Sequence, residues 1–169
     1  EILIRPEKCM GCRSCEIACA VEHSQSKSLF GAVAEKPLPK KRIYVEFVSE
    51  CAVSVPMVCR HCEEAPCVSV CPTGALIQDG IVRVVTHDLE ACIGCWTCAS
   101  VCNYGVIGRN KEQRVAVKCD WCPDREVPAC VSACPTGAIV YREVDEFSGS
   151  KRAEAALKMA QGVTAGVSR

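Results

Sequence analysis

"CPTGALIQDGIVRVVTHDLEACIGC", from Cys71 to Cys95, is the run on which the reading of this chain turns. It begins on the last cysteine of one cysteine motif and ends inside the next. Two strand-prone runs, 75–78 and 81–84, flank Asp79-Gly80, a strong short-range hairpin signal. Its opening returns as "CPTGAIVYREV" from Cys134, where no further cysteine follows. That second copy has to find its partner elsewhere in the chain.

Working outward, sixteen of the seventeen cysteines fall into four motifs. Motif I is Cys9-x2-Cys12-x2-Cys15-x3-Cys19, and motif II is Cys59-x2-Cys62-x4-Cys67-x3-Cys71-Pro72. Motif III is Cys92-x2-Cys95-x2-Cys98-x3-Cys102, and motif IV is Cys119-x2-Cys122-x7-Cys130-x3-Cys134-Pro135. Cys51 is left over. Three cysteines two residues apart make a tight loop whose sulfurs converge on one iron–sulfur cube, while the fourth lies on the helix that follows. Gly11 and Gly94 fall inside such loops, where the missing Cβ lets backbone amides approach. Pro72 and Pro135 fix φ where the chain leaves each motif.

Composition points the same way. Only eight of 169 residues are aromatic, so something other than large apolar side chains fills the interior. Disulfides fit poorly: the cysteine count is odd, and no signal-type opening suggests an oxidising compartment, so the expected location is cytoplasmic. Zinc is the serious alternative metal. Four-cysteine zinc sites pair two Cys-x2-Cys knuckles over a longer loop, which motif IV resembles and motifs I and III do not. The formal net charge is zero. Four oxidised clusters on sixteen thiolates would take the holoprotein to roughly −8. Basic residues are scattered apart from Lys40-Lys41-Arg42, which speaks against a nucleic-acid surface. No apolar run reaches the ~20 residues of a membrane span. No phosphate loop or dinucleotide fingerprint occurs.

The unit of motif II, hairpin and motif III resembles the bacterial two-cluster ferredoxin, in which the fourth cysteine of each motif serves the other cluster. That resemblance implies one [4Fe–4S] cluster on Cys59, Cys62, Cys67 and Cys102, and another on Cys92, Cys95, Cys98 and Cys71. The strand after motif IV, 138–144, pairs on this reading with residues 1–4, recreating the hairpin without its turn. Motifs I and IV then form a second core, with clusters on Cys9, Cys12, Cys15 and Cys134, and on Cys119, Cys122, Cys130 and Cys19. The expected fold is α+β: two ferredoxin-like cores, residues 51–102 inserted into residues 1–50 and 103–147, followed by a helical tail, 148–169. Sequential pairing of motif I with motif II is the alternative; it leaves both terminal strands unpaired.

The whole pattern, over about residues 1–145, looks like the four-cluster electron-transfer subunits of redox complexes. "CRSCEIACAVEHSQSK", Cys12 to Lys27, looks most like the small members beside carbon monoxide dehydrogenase and tungsten aldehyde oxidoreductase. The resemblance implies a non-catalytic subunit relaying single electrons between a catalytic oxidoreductase subunit and a second redox protein or flavoprotein. It also implies that the motif I cluster faces the catalytic subunit and motif III lies at the far end, a path of I, IV, II, III. A freestanding polyferredoxin and a zinc-bound scaffold are the competing classes. Head-to-tail self-association is a further expectation, because a wire with unlike ends can stack.

Other residues have bland readings beside sharper ones. His61, inside motif II, and Trp121, at the matching place in motif IV, are expected to pack beside clusters, with iron ligation by His61 the sharper option. Trp96 and Tyr104 read as core and solvent shield. Lys8, Arg13, Arg60 and Lys118 are either solvated or close enough to raise cluster potentials. Cys51, after a strand at 43–48, is expected to be a small buried hydrophobe. Residues 23–42, with Pro37 and Pro39, read as a surface insertion. Residues 151–161 are helix-prone, with Gly162 as the expected stop.

Overall fold

In chain order the protein forms β1 (Ile2–Ile4), α1 (Ser14–Glu22), α2 (Leu29–Ala34), β2 (Ile43–Val48), β3 (Val53–Val58), α3 (Pro66–Ser69) and β4 (Leu76–Gln78). These are followed by β5 (Val85–His87), α4 (Thr97–Ser100), β6 (Gly108–Asn110), β7 (Val115–Val117), α5 (Ala129–Ser132), β8 (Ile139–Tyr141) and α6 (Val144–Val167). The computed structural model describes residues 1–167, with side chains through residue 161. The class is α+β, with the strands in four separate two-stranded antiparallel sheets.

The two ends of the cysteine-bearing region meet. β1 pairs antiparallel with β8, Leu3 opposite Val140, as the terminal strand-like runs suggested. The pair is extended by the Arg5 N–H donating to Ala138 O at 2.7 Å and the Arg142 N–H donating to Glu1 O at 3.0 Å. Ile2 and Ile139 turn inward, while Tyr141 lies at the exposed margin.

β4 and β5 form the hairpin between motifs II and III, Ile77 opposite Thr86. Its turn is wider than the two-residue reversal expected at Asp79-Gly80. The Asp79 carboxylate accepts N–H bonds from Ile81 at 2.8 Å and Val82 at 2.6 Å. This Asx-type reversal draws 81–83 out of the strand. Ile81, counted in the second strand run, is 93% exposed at the tip.

Two further hairpins build the fold. β2 pairs with β3 in full register from Ile43↔Val58 to Val48↔Val53, and β6 with β7 across 108–117. The second had no counterpart among the sequence-based expectations. Cys51 departs from its expected place: it is exposed, in the reversal between β2 and β3, where Ala52 has φ 53°. A turn tip has no layer above it to bury a thiol.

The interior divides into two apolar groups. One gathers Ile2, Ile43, Val45, Val58 and Ile139 around Cys15, Cys19, Cys119 and Cys130. The other gathers Ala65, Leu76, Val85, Ile107 and Ala116 around Cys67 and Cys98. Each is small, and thiols occupy the places large apolar side chains take elsewhere. The β2–β3 hairpin crosses residue 50 and packs with the first group. Ile107 and Ala116, beyond residue 102, pack with the second.

The C-terminal helix differs from expectation at both ends. α6 starts at Val144 and continues through Gly162. A glycine in a helix interior costs about 1 kcal/mol against alanine, which does not by itself end a helix. Its first turns dock on the N-terminal strand: Arg5 reaches Glu154 and the Ser150 hydroxyl at 3.0 Å each and stacks on Phe147, and Lys151 pairs with Glu7. Residues 168 and 169 lie outside the described residues.

Gly94, with φ +65°, meets the β6–β7 turn so closely that an added Cβ would stand 2.1 Å from Arg114 O. Around Gly80 an added Cβ meets nothing within 4 Å. Gly94→Ala is expected to destabilise the iron-loaded chain by about 1–3 kcal/mol or more, and Gly80→Ala to change stability by less than ~0.5 kcal/mol. Thermal unfolding of both variants under anaerobic conditions checks the contrast.

Candidate metal centres

The first Cys-x2-Cys loop of each motif bends through left-handed backbone at the same point. The residues before the second cysteine, Gly11, His61, Gly94 and Trp121, have φ of 72°, 46°, 65° and 62°. For His61 and Trp121 this conformation costs of order 1–3 kcal/mol and persists only where the surroundings impose it. Arg13 and Trp96, directly after Cys12 and Cys95, are left-handed too and open α1 and α4. The loops thereby turn their N–H groups toward sulfur: the His61 N–H lies 3.5 Å from Cys59 Sγ.

Three cavities are each ringed by four cysteines. Cys9, Cys12, Cys15 and Cys134 line one, Cys59, Cys62, Cys67 and Cys102 the second, and Cys71, Cys92, Cys95 and Cys98 the third. Each draws its fourth cysteine from a different motif. The remaining cysteines are also neighbours: Cys19 and Cys130 both act electrostatically on Cys119, and Cys19 and Cys122 on Cys130. Cys51 stands apart at its turn. The groups adjoin in a row, with Cys15 acting on Cys130, Cys59 on Cys119 and Cys67 on Cys98.

The thiols divide by their surroundings. Burial pushes the Cys15 thiol up to about 11 and Cys130 up to about 12, and raises Cys119 further. Cys71 and Cys134 go the other way. Burial opposes their ionisation, but N–H groups of Leu76, Thr73 and Ala75 hold Cys71 low, and those of Ile139, Thr136 and Ala138 hold Cys134 low. The two Cys-Pro-Thr-Gly-Ala copies thus give one sulfur the same surroundings, backbone N–H groups together with the Thr73 or Thr136 hydroxyl 3.8 Å away. Cys12 and Cys95 form another matching pair, lowered by Ser14 and Thr97.

Buried thiols raised by desolvation are poor anions alone and good ligands of a cationic core. Further donors face the same cavities. His61 donates nothing through Nδ1, which accepts the Val85 N–H at 2.9 Å, so the neutral ring carries its proton on Nε2. Burial and then the Lys118 charge hold His61 down to about 3. Its Nε2, buried and without a protein partner among the described residues, belongs to a residue lining the Cys59–Cys62–Cys67–Cys102 cavity. A ring whose Nδ1 is taken by Val85 and whose Nε2 bears hydrogen suits hydrogen bonding beside sulfur, not iron ligation. It packs on Trp121 with ring centroids 4.6 Å apart. Trp96 is half-buried under Arg109, and Tyr104 lines the same cavity as His61 while partly exposed, as shield residues do.

One network beside motif IV escaped the sequence-based reading. His23 Nε2 bonds Asp120 Oδ1 at 3.1 Å, and Arg42 pairs with the other carboxylate oxygen. Burial disfavours a charged His23, but its bonds to Asp120, Cys122 and Cys19 prevail and raise it to about 11. The Arg42 N–H also donates to Cys19 Sγ at 3.2 Å. His23 and Asp120 are 97 residues apart, so no local pattern announces them. The insertion 23–42 thus carries structure toward the site, and with β7 it walls a cavity of about 350 Å³.

Residues 50–144 match the family model described as a 4Fe–4S dicluster domain, and residues 6–22 match a 4Fe–4S binding domain. This chain belongs to the 4Fe–4S dicluster family. It is 39% identical to the electron transport protein HydN of Escherichia coli, over 92% of this chain and 97% of that protein. It is likewise 39% identical to an iron–sulfur protein of Rhodospirillum rubrum, over 95% and 90%. The thiosulfate reductase electron transfer subunit PhsB of Salmonella typhi is 37% identical, over 86% and 77%.

Cys19→Ala is expected to remove or convert the centre built on Cys119, Cys122 and Cys130 and to leave that of Cys9, Cys12 and Cys15 intact. Iron analysis with electron paramagnetic resonance of the reduced variant distinguishes the two. Loss of the Cys9 centre alone would show that ligation follows sequence order.

Proposed function

We propose that the chain is an electron-transfer subunit carrying four [4Fe–4S] clusters, one on each group of four cysteines. The observation that carries this is the gathering of sixteen cysteines into four adjoining groups, each mixing cysteines of two motifs. When bound, the clusters supply one-electron oxidation and reduction; the protein contributes spacing, hydrogen bonds to sulfur and docking. The groups succeed one another as motif I, IV, II and III, and the end groups hold the most exposed ligand candidates, Cys12 and Cys95. Two ferredoxin-like cores, one inserted in the other, account for the β1–β8 pairing and for the two apolar groups.

The partner on this reading is a catalytic oxidoreductase subunit. The names of the similar proteins, electron transport protein and thiosulfate reductase electron transfer subunit, support that class. The resemblance of residues 12–27 favours a carbon monoxide dehydrogenase or tungsten aldehyde oxidoreductase type within it. A second redox protein or flavoprotein takes the other end, in the cytoplasm. Among the described residues no helix is long and apolar enough to cross a membrane.

Anaerobically purified protein is expected to contain roughly sixteen irons per chain, with brown absorption bleached by dithionite, and Cys51→Ser to keep all of it. Zinc in place of iron, or about eight irons, would overturn the assignment.

Removing residues 156–169 spares the contacts of Ser150, Lys151 and Glu154 but takes away exposed Leu157 and Met159. This truncation is expected to keep full iron and to weaken retention of a catalytic subunit at least several-fold in native co-purification read by mass spectrometry. Unchanged retention would remove the tail from the interface.

A further inference from the structure

Of the four basic residues that the sequence analysis set beside cysteine motifs, three are solvated: Lys8, Arg13 and Arg60 are exposed. Lys118 is only 2% exposed. Its backbone precedes Cys119 of motif IV, yet its side chain crosses to the other apolar group. Nζ donates to Val85 O and to Cys119 O, each at 2.9 Å. None of the ion pairs among the described residues includes it.

A buried cation with only carbonyl partners is costly unless an anion stands near it. Asp120, two residues on, is committed to His23 and Arg42. Lys118 borders the large cavity beside β7, and of the cysteine-ringed cavities it lines the one of Cys59, Cys62, Cys67 and Cys102, whose wall it shares with Val85 and His61. A [4Fe–4S] core on four thiolates carries about −2 when oxidised and one unit more when reduced. A fixed positive charge in a water-excluded wall favours the more negative form.

On the reading that this cavity holds a cluster, we propose that Lys118 is its buried counter-charge and raises its reduction potential. The residue acts through space, with no bond to iron, from a motif that supplies none of that centre's four cysteines. Its two carbonyl bonds hold the ammonium in place, and Val85 is the shared anchor, since its N–H goes to His61 and its C=O to Lys118. The burial that pushes the Cys67 thiol up is opposed by the Lys118 charge, in keeping with this placement.

The test compares the full chain with Lys118→Met, which keeps length and removes charge, and with Lys118→Arg, which keeps charge. Redox titration of the anaerobic protein is followed by electron paramagnetic resonance, with iron measured on every sample. Cys102→Ser identifies the signal of the centre concerned. In Lys118→Met, the reduced-to-oxidised ratio of that centre at fixed potential is expected to fall about tenfold, or about 59 mV for one electron, with smaller changes at the others and recovery in Lys118→Arg. Full iron with every centre within twofold of the parent would overturn the proposal. If Lys118→Met loses that centre, its retention in Lys118→Arg upholds the charge role, and loss in both variants refutes it in favour of space filling. A parent protein without iron–sulfur centres would instead defeat the function proposed above.

Discussion

The antiparallel pairing of β1 with β8 is the constraint on which the rest depends. It ties residues 2–4 to residues 139–141 and so closes nearly the whole cysteine-bearing chain into one loop. Closure of a loop this long costs entropy that three-residue strands cannot offset by hydrogen bonds alone. Ile2 and Ile139 add burial, and Cys15, Cys19, Cys119 and Cys130 meet directly behind them. The pairing brings motif I against motif IV, and shared ligation between those motifs would in turn hold the pairing shut. On the proposed ligation, strand closure and metal binding are two aspects of one equilibrium.

That coupling explains the composition. The two apolar groups are built largely from Val, Ile, Ala and Cys, with few aromatic side chains. Without metal, Cys119 and Cys130 sit where burial pushes their thiols far up, and their neighbours' charges push further. The fold has accordingly placed thiols where they neither ionise readily nor pack as well as leucine. A cluster held there, as proposed above, would relieve both, since its ligands would be thiolates and the space between the sulfurs would be filled.

Left-handed His61 and Trp121 show the same economy. Where motifs I and III use glycine, motifs II and IV accept backbone strain in exchange for two ring systems packed in a tilted pair between the adjoining groups. Lys118 and Val85 bridge the same boundary. The two apolar groups are thus joined by an aromatic pair and a buried amine. The outer groups, with exposed Cys12 and Cys95, face solvent.

Much of this was legible in the residues. Cysteine spacing is local chemistry, since every motif opens on Cys-x2-Cys and closes on Cys-x3-Cys whatever the length between, so the motifs could be read directly, as could the apolar strand runs at both ends and at 43–48. The repeat of Cys-Pro-Thr-Gly-Ala likewise announced two equivalent turns. What the tertiary structure alone decided depends on residues distant in sequence. The Asp79 side chain reshaped the hairpin turn through bonds that compete with strand pairing. Cys51, apolar by habit, was left at a turn tip with nothing to cover it. His23 and Asp120 met across 97 residues. Lys118, one of four basic residues indistinguishable by pattern, was buried because its neighbours Val117 and Cys119 face the interior and its own chain can reach Val85 O. Burial and charge environment are properties of the space around a residue, and that space is made by parts of the chain that no local pattern specifies.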